Sequence, residues 1–187
     1  MKHIVRKAYW DFEKEEKWIN EMSAKGMALT DYSWCRYVFT ETLNNDYTYR
    51  IELLQNLPTH AESIAYLRFL EENGVECVAT YMRWIYLTKK TLEGPFHIYS
   101  DIESRIKHYK RVNVLWNTLM LIEFIAGFIN LFTWITNLNH DFKPDNYLMS
   151  NLVMGCLLIM LGLFFLRLSS KIRKKIKRLL REKAIIE

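Results

Sequence analysis

Glu123 is the only charged side chain in the apolar stretch of residues 114–135. An ionisable group inside a membrane span is costly and marks a candidate functional site. Gly127 follows four residues later and Asn130 seven residues later, so all three share one helix face. Two interpretations follow: a polar site for transport or sensing, or a protonated or hydrogen-bonded acid that joins helices through small-residue contacts.

Few other residues have the spacing that catalysis requires. The five histidines are dispersed, and the three cysteines include no C-x-x-C pair. No phosphate-loop, dinucleotide-binding, nucleophile-elbow or H-E-x-x-H motif occurs. The acidic run at residues 11–17 has the pattern of a solvated helix face with i,i+4 partners. We therefore expect no enzyme, no metal and no cofactor, and we keep an enzyme acting on a membrane substrate as the third alternative.

The first 92 residues predict an α+β domain. Asp11 is placed to cap a helix that has Phe12, Ile19 and Met22 on one face and ends at Gly26. Aromatic and β-branched residues are frequent in stretches 27–42, 47–54 and 75–89, and each stretch is predicted as one strand. With a first strand near the N-terminus and a second helix, the order is ferredoxin-like, βαββαβ. Both helices would cover one face of a four-stranded sheet.

The other face of this sheet would be open for binding. Its candidate residues are Tyr32, Trp34, Arg36, Arg50 and Arg83. Aromatic and arginine side chains suit RNA stacking, ligand binding or dimerisation. Residues 34–39 lack the signature of RNA-recognition domains, so RNA is disfavoured. We expect the face to pack on a second subunit or on a linker helix.

Two apolar stretches follow, at residues 114–135 and 148–166, and each can cross the roughly 30 Å hydrocarbon core as a helix. The polar connection between them is short, so they predict a hairpin. Residues 93–113 predict a linker helix, with a cap at Ser100, that continues into the first span. Basic residues flank both outer ends of the hairpin, which places both termini in the cytoplasm of a multi-pass protein of the cell membrane.

The tail, residues 167–187, carries nine lysines and arginines against two glutamates, whereas the whole chain has a net charge of +5. Its apolar residues have helical spacing, which predicts a basic amphipathic helix on anionic lipid headgroups. Nucleic-acid binding is not expected, because the tail follows the membrane directly and has no recognition fold. The side chains predicted to face lipid are Lys171, Arg173, Lys174, Lys175, Lys177 and Arg178.

Distinctive runs occur at YWDFEKEEKWINEM (9–22), YTYRI (47–51), RWIY (83–86) and EGPFHIYSD (93–101). Over roughly residues 7–110 they resemble an uncharacterised bacterial family, domain of unknown function 2812. The resemblance carries over no activity and no catalytic residue, but a membrane hairpin is common among such chains. Genes of the family often lie beside those of PadR-like transcriptional regulators, which implies a role in envelope-stress or antibiotic response.

The leading hypothesis is a membrane-anchored regulatory or adaptor protein whose cytoplasmic domain binds a protein partner, a second copy of itself or a small ligand. The alternative is a membrane-active accessory subunit of a transporter, or a drug or lipid sensor, that uses Glu123. The expected organisation is a cytoplasmic domain at 1–92, a linker helix at 93–113, a membrane hairpin at 114–166 and a basic cytoplasmic tail at 167–187.

Overall fold

The structure is a computed structural model that describes residues 1–43, 46–99, 101–138 and 146–186. The chain divides into two compact units, Met1–Asp101 and Ile102–Glu187, which are described separately as unit 1 and unit 2. The predicted cap at Ser100 and the loop at 139–145 between the predicted spans lie outside the described residues.

Unit 1 is built from strands and two short helices, and a single 3-10 turn at Thr91–Glu93 follows them. The strands form two three-stranded antiparallel sheets. In chain order the elements are β1 (Lys2–Arg6), α1 (Phe12–Ser23), β2 (Met27–Ser33), β3 (Arg36–Glu41), β4 (Tyr47–Leu53), α2 (Ala61–Glu72), β5 (Glu76–Tyr81) and β6 (Trp84–Lys90).

The two halves of unit 1 repeat the same βαββ arrangement. The sheet orders are β1-β3-β2 and β4-β6-β5, so in each half the third strand lies between the first two. Each second strand has one register shift, between Leu29 and Asp31 in β2 and between Cys77 and Ala79 in β5. After each helix the chain turns at a glycine with a φ of 76°, Gly26 in the first half and Gly74 in the second.

The α+β class and the C-terminal pair of long apolar helices are confirmed, but the predicted four-stranded βαββαβ sheet is not observed. Stretches 27–42 and 75–89, each predicted as one strand, are hairpins that turn at Trp34–Cys35 and at Met82–Arg83. Neither turn contains glycine, proline, asparagine or aspartate, the residues that normally mark a tight turn. The residue types at these two turns therefore do not predict that the chain reverses there.

α1 is fixed to β4, an edge strand of the second sheet, by side chains that bond to the strand backbone. Asn20 Oδ1 accepts from the Tyr49 N–H at 2.9 Å, and Asn20 Nδ2 donates to the Tyr49 carbonyl at 3.0 Å. One turn earlier, Glu16 Oε2 accepts from the Ile51 N–H at 2.9 Å. Ser23 Oγ donates to the Tyr47 carbonyl at 2.6 Å. A helix of the first half thus satisfies the exposed edge of the second half.

Two clusters of buried residues fill unit 1. The sheet β4-β6-β5 is buried on both faces because β6 contributes Tyr86 to the first cluster and Ile85 and Leu87 to the second. The second sheet therefore does not have the predicted open face. The first cluster is Ile19, Leu29, Tyr37, Phe39, Tyr49, Ile51, Ala79 and Tyr86; the second is Leu54, Leu70, Val75, Ile85, Leu87 and Phe96.

Unit 2 consists of two long helices, α3 (Ile102–Leu138) and α4 (Asn146–Ile186). Their lengths of 37 and 41 residues correspond to roughly 55 and 60 Å. Both are long and apolar enough to cross a membrane. α3 begins at Ile102 and is uninterrupted past Lys110, whereas residues 94–99 of the predicted linker helix at 93–113 are not helical.

α3 and α4 pack antiparallel along a seam of small residues. A Cβ added at Gly155 would lie 2.7 Å from Leu131 Cδ2, and one at Gly162 would lie 2.8 Å from the Phe124 ring. Seven residues beyond Gly162, the fully buried Ser169 Oγ lies 2.6 Å from Asn117 Oδ1. Small residues at this spacing allow close helix approach, as they do in packed membrane helices.

The basic end of α4 continues the same seam. Ile176 and Leu179 are buried, Lys175 Nζ lies 4.9 Å from the centre of the Tyr109 ring, and Lys183 Nζ lies 3.8 Å from Glu103 Oε2. The apolar face of the tail helix is therefore occupied by α3. Its basic residues Lys171, Arg173, Lys174, Lys177 and Arg178 are exposed, and Lys175 is half-buried.

The replacement Asn20→Ala tests the attachment of α1 to β4. It leaves both backbone groups of Tyr49 without their side-chain partner, so we expect the free energy of unfolding of unit 1 to fall by about 2–4 kcal/mol. Denaturant unfolding of the full-length protein, followed by tryptophan fluorescence, measures this change. Lys14→Ala, on the exposed face of the same helix, is the control and should shift it by less than about 0.5 kcal/mol. Equal denaturant midpoints for Asn20→Ala and Lys14→Ala would show that the Asn20 bonds to β4 do not stabilise unit 1.

Candidate functional site

The most unusual polar group in unit 1 is the carboxyl of Glu15, a residue of α1 that is only 7% exposed. Its Oε1 atom accepts hydrogen bonds from the Tyr37 hydroxyl at 2.6 Å and from the Tyr86 hydroxyl at 2.7 Å. Tyr37 belongs to β3 of the first sheet and Tyr86 to β6 of the second. One carboxyl oxygen therefore joins the two halves of the unit.

Burial dominates the electrostatics of this carboxyl. Desolvation raises the pKa of Glu15, and the hydrogen bonds from the two tyrosine hydroxyls oppose that shift only in part. The pKa values of Tyr37 and Tyr86 are raised as well, by desolvation first and by the nearby carboxylate second. Among the residues that the structure describes, no lysine, arginine or histidine forms an ion pair with Glu15.

The adjacent Glu16 is a clear contrast. Its Oε1 atom lies 3.1 Å from Arg50 Nη1, and its Oε2 atom holds the Ile51 amide. Desolvation raises the pKa of Glu16 too, but the Ile51 N–H and the Arg50 charge both lower it. Glu16 is therefore a charge-compensated structural residue, whereas Glu15 has only neutral donors.

Aromatic rings surround the Glu15 carboxyl and lead to the protein surface. The Tyr32 ring lies with its centre 4.8 Å from that of Tyr37 and 4.5 Å from that of Tyr86. From Tyr32 the series continues to Tyr81 at 5.8 Å and then to Trp34 at 6.0 Å. These distances are typical of interacting aromatic pairs. We call Glu15, Tyr32, Tyr37 and Tyr86 the carboxyl–tyrosine cluster.

The surface end of this series is formed by the two hairpin turns. Trp34 is 75% exposed and Met82 is 71% exposed. Trp34, Cys35 and Met82 have φ values of 29°, 59° and 54°, in a region that bulky side chains rarely occupy. Because Tyr81 precedes Met82 and contacts Trp34, the two turns lie side by side. We call residues 34–35 and 81–83 the paired-turn surface.

Neighbouring backbone holds both turns in equivalent ways. The Lys7 N–H donates to the Cys35 carbonyl at 2.9 Å, and the Leu54 N–H donates to the Arg83 carbonyl at 2.8 Å. The Arg83 guanidinium donates twice to the Leu54 carbonyl, at 2.9 and 2.7 Å. The left-handed backbone is therefore anchored at two corresponding positions.

Of the five residues predicted for an open sheet face, Tyr32 belongs to the carboxyl–tyrosine cluster and the other four are divided between two places. Trp34 and Arg83 lie in the paired turns, and Arg36 begins β3 directly after the first turn, with Nη1 3.6 Å from Asp31 Oδ2. Arg50 is elsewhere, bonded to Glu16 and to the Phe96 carbonyl at 3.2 Å.

Sequence reasoning missed Glu15, Tyr37 and Tyr86, because the pattern of residues 11–17 is that of solvated acids. One signal could have found Glu15. Glu15 lies three residues after Phe12 and four before Ile19, so it falls inside the apolar stripe of α1 and not on the polar face.

In unit 2 the predicted intramembrane residues have different surroundings. Gly127 is buried in the seam, and Asn130 Nδ2 donates to the Ala126 carbonyl of its own helix at 2.8 Å. Glu123 is half-buried, and none of the hydrogen bonds found among the described residues involves it. No group of three or more histidine, cysteine, aspartate or glutamate residues in the described ranges could hold a metal ion.

These features define a class of protein: a duplicated α+β unit with a buried carboxyl–tyrosine cluster, followed by two helices that could span a membrane. Residues 11–121 match the family model described as protein of unknown function, DUF2812. The match covers more than half of the chain, so the chain belongs to this family. No curated protein and no solved structure matches it.

The pH dependence of stability tests the Glu15 environment. The native pKa of Glu15 is raised above the ordinary value of about 4.3, which is the value expected in the unfolded chain. At pH values between the unfolded and the native pKa, the native state therefore binds more protons than the unfolded chain. The stability that the protonated carboxyl contributes is complete below about pH 4.3 and is lost as the pH rises through the native pKa.

The variant Glu15→Gln keeps an oxygen that accepts from both tyrosines but cannot ionise. We expect its free energy of unfolding to exceed that of the wild type above the native pKa of Glu15, by about 1.4 kcal/mol for each unit of the pKa shift. Denaturant unfolding at a series of pH values measures the difference. If the free energy of unfolding of the wild type instead rises relative to that of Glu15→Gln as the pH rises, the surroundings favour the carboxylate and the prediction is wrong.

Proposed function

We propose that the chain is a membrane-anchored regulatory or adaptor protein, and that unit 1 binds a protein partner through the paired-turn surface. The observation that supports this most directly is the exposure of Trp34 and Met82 at adjacent turns. A large aromatic and a methionine on projecting turns are costly to leave in water, and both residue types are enriched in protein interfaces.

The shape of this surface favours a macromolecule over a small ligand. Small-molecule sites are concave and enclose most of the ligand. Trp34 and Met82 instead project from hairpin tips, and the anchored turns hold them in fixed positions. Tryptophan is among the residue types that most often form interface hot spots.

Anchoring at the cell membrane is the second part of the proposal. It is supported by the length and apolar character of α3 and α4 and by the basic residues on the outer side of each span. The near absence of positive charge between the spans favours cytoplasmic termini. Since Ile176 and Leu179 are buried against α3, any contact of the tail with anionic headgroups would use its exposed lysines and arginines.

Site-specific photo-cross-linking in living cells tests the partner. The full-length protein would carry p-benzoylphenylalanine at Trp34 or, separately, at Met82. We expect both to give the same cross-linked protein, and we expect Trp34→Ala to weaken the purified complex by about 2 kcal/mol, or roughly 30-fold in Kd.

Leu92 is the matched control position for this experiment, because it is 94% exposed but lies outside the paired turns. A product of twice the chain mass from the turn positions would identify a second copy as the occupant. The same products from Leu92 as from Trp34, or an unchanged affinity for Trp34→Ala, would refute the paired-turn surface.

The alternative of a membrane-active accessory subunit or a drug or lipid sensor keeps one supporting observation, the half-buried Glu123 in an apolar helix. The variant Glu123→Gln distinguishes the two functions. The adaptor proposal predicts partner binding within about two-fold of the wild type, since the carboxyl lies outside unit 1. Loss of drug or lipid response with intact partner binding would favour the alternative. Partner binding by the purified variant and the drug or lipid response of cells that carry it are measured side by side.

A further inference from the structure

We propose that the carboxyl–tyrosine cluster is the binding site of an organic cation, which would act as an effector of unit 1. The site lies beneath the paired-turn surface and would open beside Tyr81, and its occupation does not require a protein partner. Three features carry the inference: an uncompensated buried carboxyl, aromatic rings around it, and a half-exposed ring that separates it from the surface.

The first feature is the charge of the site. Glu15 is buried, and among the described residues its polar contacts are two neutral hydroxyls on one oxygen. A buried carboxylate without a counter-charge is unfavourable, and a positive ligand beside it would supply the missing charge. The same charge excludes phosphates and other anions from the site.

The second feature is the aromatic environment. The Tyr32 ring centre lies 4.8 Å from that of Tyr37 and 4.5 Å from that of Tyr86, so three tyrosine rings adjoin the carboxyl. The faces of tyrosine and tryptophan attract weakly hydrated cations, with quaternary ammonium groups as the best-known ligands of such sites. A small inorganic cation fits less well, because metals such as Ca²⁺ and Mg²⁺ need several oxygen ligands and Glu15 is a single carboxyl.

The third feature is an access route. Tyr32 lies on β2, an edge strand of its sheet, and it is half-buried. Its hydroxyl lies 3.4 Å from the Cys35 N–H, which is long for a hydrogen bond. Rotation of this one ring would break its side-chain hydrogen bond with Tyr86 and its ring contacts with Tyr37 and Tyr86, and would open the space beside those two rings. The cluster would then reach solvent beside Tyr81.

Occupation of the site would change the protonation of the cluster. Its titratable groups are Glu15 from α1, Tyr37 from β3, Tyr86 from β6 and Tyr32 from β2. The tyrosines stay protonated at neutral pH, because the pKa of each is raised above its ordinary value. A cation that binds the protonated carboxyl therefore releases one proton from Glu15, and binding should tighten as the pH rises toward the native pKa of Glu15.

Benzyltrimethylammonium is a suitable probe, because it combines a quaternary nitrogen with one aromatic ring. Its neutral isostere, 2,2-dimethylpropylbenzene, has the same shape without the charge. Calorimetric titration would use the full-length protein in nanodiscs of zwitterionic phosphatidylcholine, with empty nanodiscs as the blank. We expect the cation to bind the wild type, and we expect Glu15→Gln to weaken it by at least about ten-fold.

Glu21→Gln is the matched control, since it removes an exposed carboxyl from the same helix and should leave binding unchanged. Tyr32→Leu keeps the carboxyl but removes a ring, so it should weaken binding several-fold and thus tests the site without altering Glu15. Equal affinity of Glu15→Gln and wild type would overturn the proposal. So would equal affinity for the neutral isostere, or no heat above the blank at about 1 mM probe.

Discussion

The architecture of unit 1 depends on the hydrogen bonds between the polar side chains of α1 and the free edge of β4. Glu16, Asn20 and Ser23 follow one another at helical spacing and meet backbone groups of Ile51, Tyr49 and Tyr47 in turn. The strand presents such groups at every second residue, and one helix face matches three of them. An edge that would otherwise be open to aggregation is thereby closed from within the chain.

This attachment also determines where Glu15 points. Successive helix residues are rotated by about 100° around the helix axis, so a helix that directs Glu16 to the edge of β4 must direct Glu15 elsewhere. In unit 1 that direction is the space between the two sheets, where Tyr37 and Tyr86 meet the carboxyl. The bond from the Leu29 N–H to the Tyr49 hydroxyl, at 2.9 Å, joins the same two halves at a second point. The unusual carboxyl is thus a consequence of the way in which the two repeats are connected.

The sequence predicted the features that depend on local chemistry or on long-range periodicity. Asp11 caps α1 by accepting from the Glu13 N–H at 3.2 Å, Gly26 follows its end, and the apolar stretches form the two long helices. The sequence does not predict features in which tertiary structure overrides local preference. Trp34 and Met82 have left-handed backbone in turns that neighbouring backbone stabilises, so each hairpin has the sequence pattern of a single strand. Glu15 was counted with the exposed acids because residue type was given more weight than its place in the apolar stripe.

Glu15 is a buried carboxyl held between the two repeats, and it has no counter-charge among the residues that the structure describes. Its pKa can be measured directly by infrared difference titration of the full-length protein, with Glu15→Gln as the reference that removes this one carboxyl signal. We expect one carboxyl signal that is lost in the variant and that titrates clearly above the ordinary glutamate pKa of about 4.3. A Glu15 signal that titrates at or below that value would contradict the buried, uncompensated carboxyl, because it would place the group in solvent or beside a positive charge.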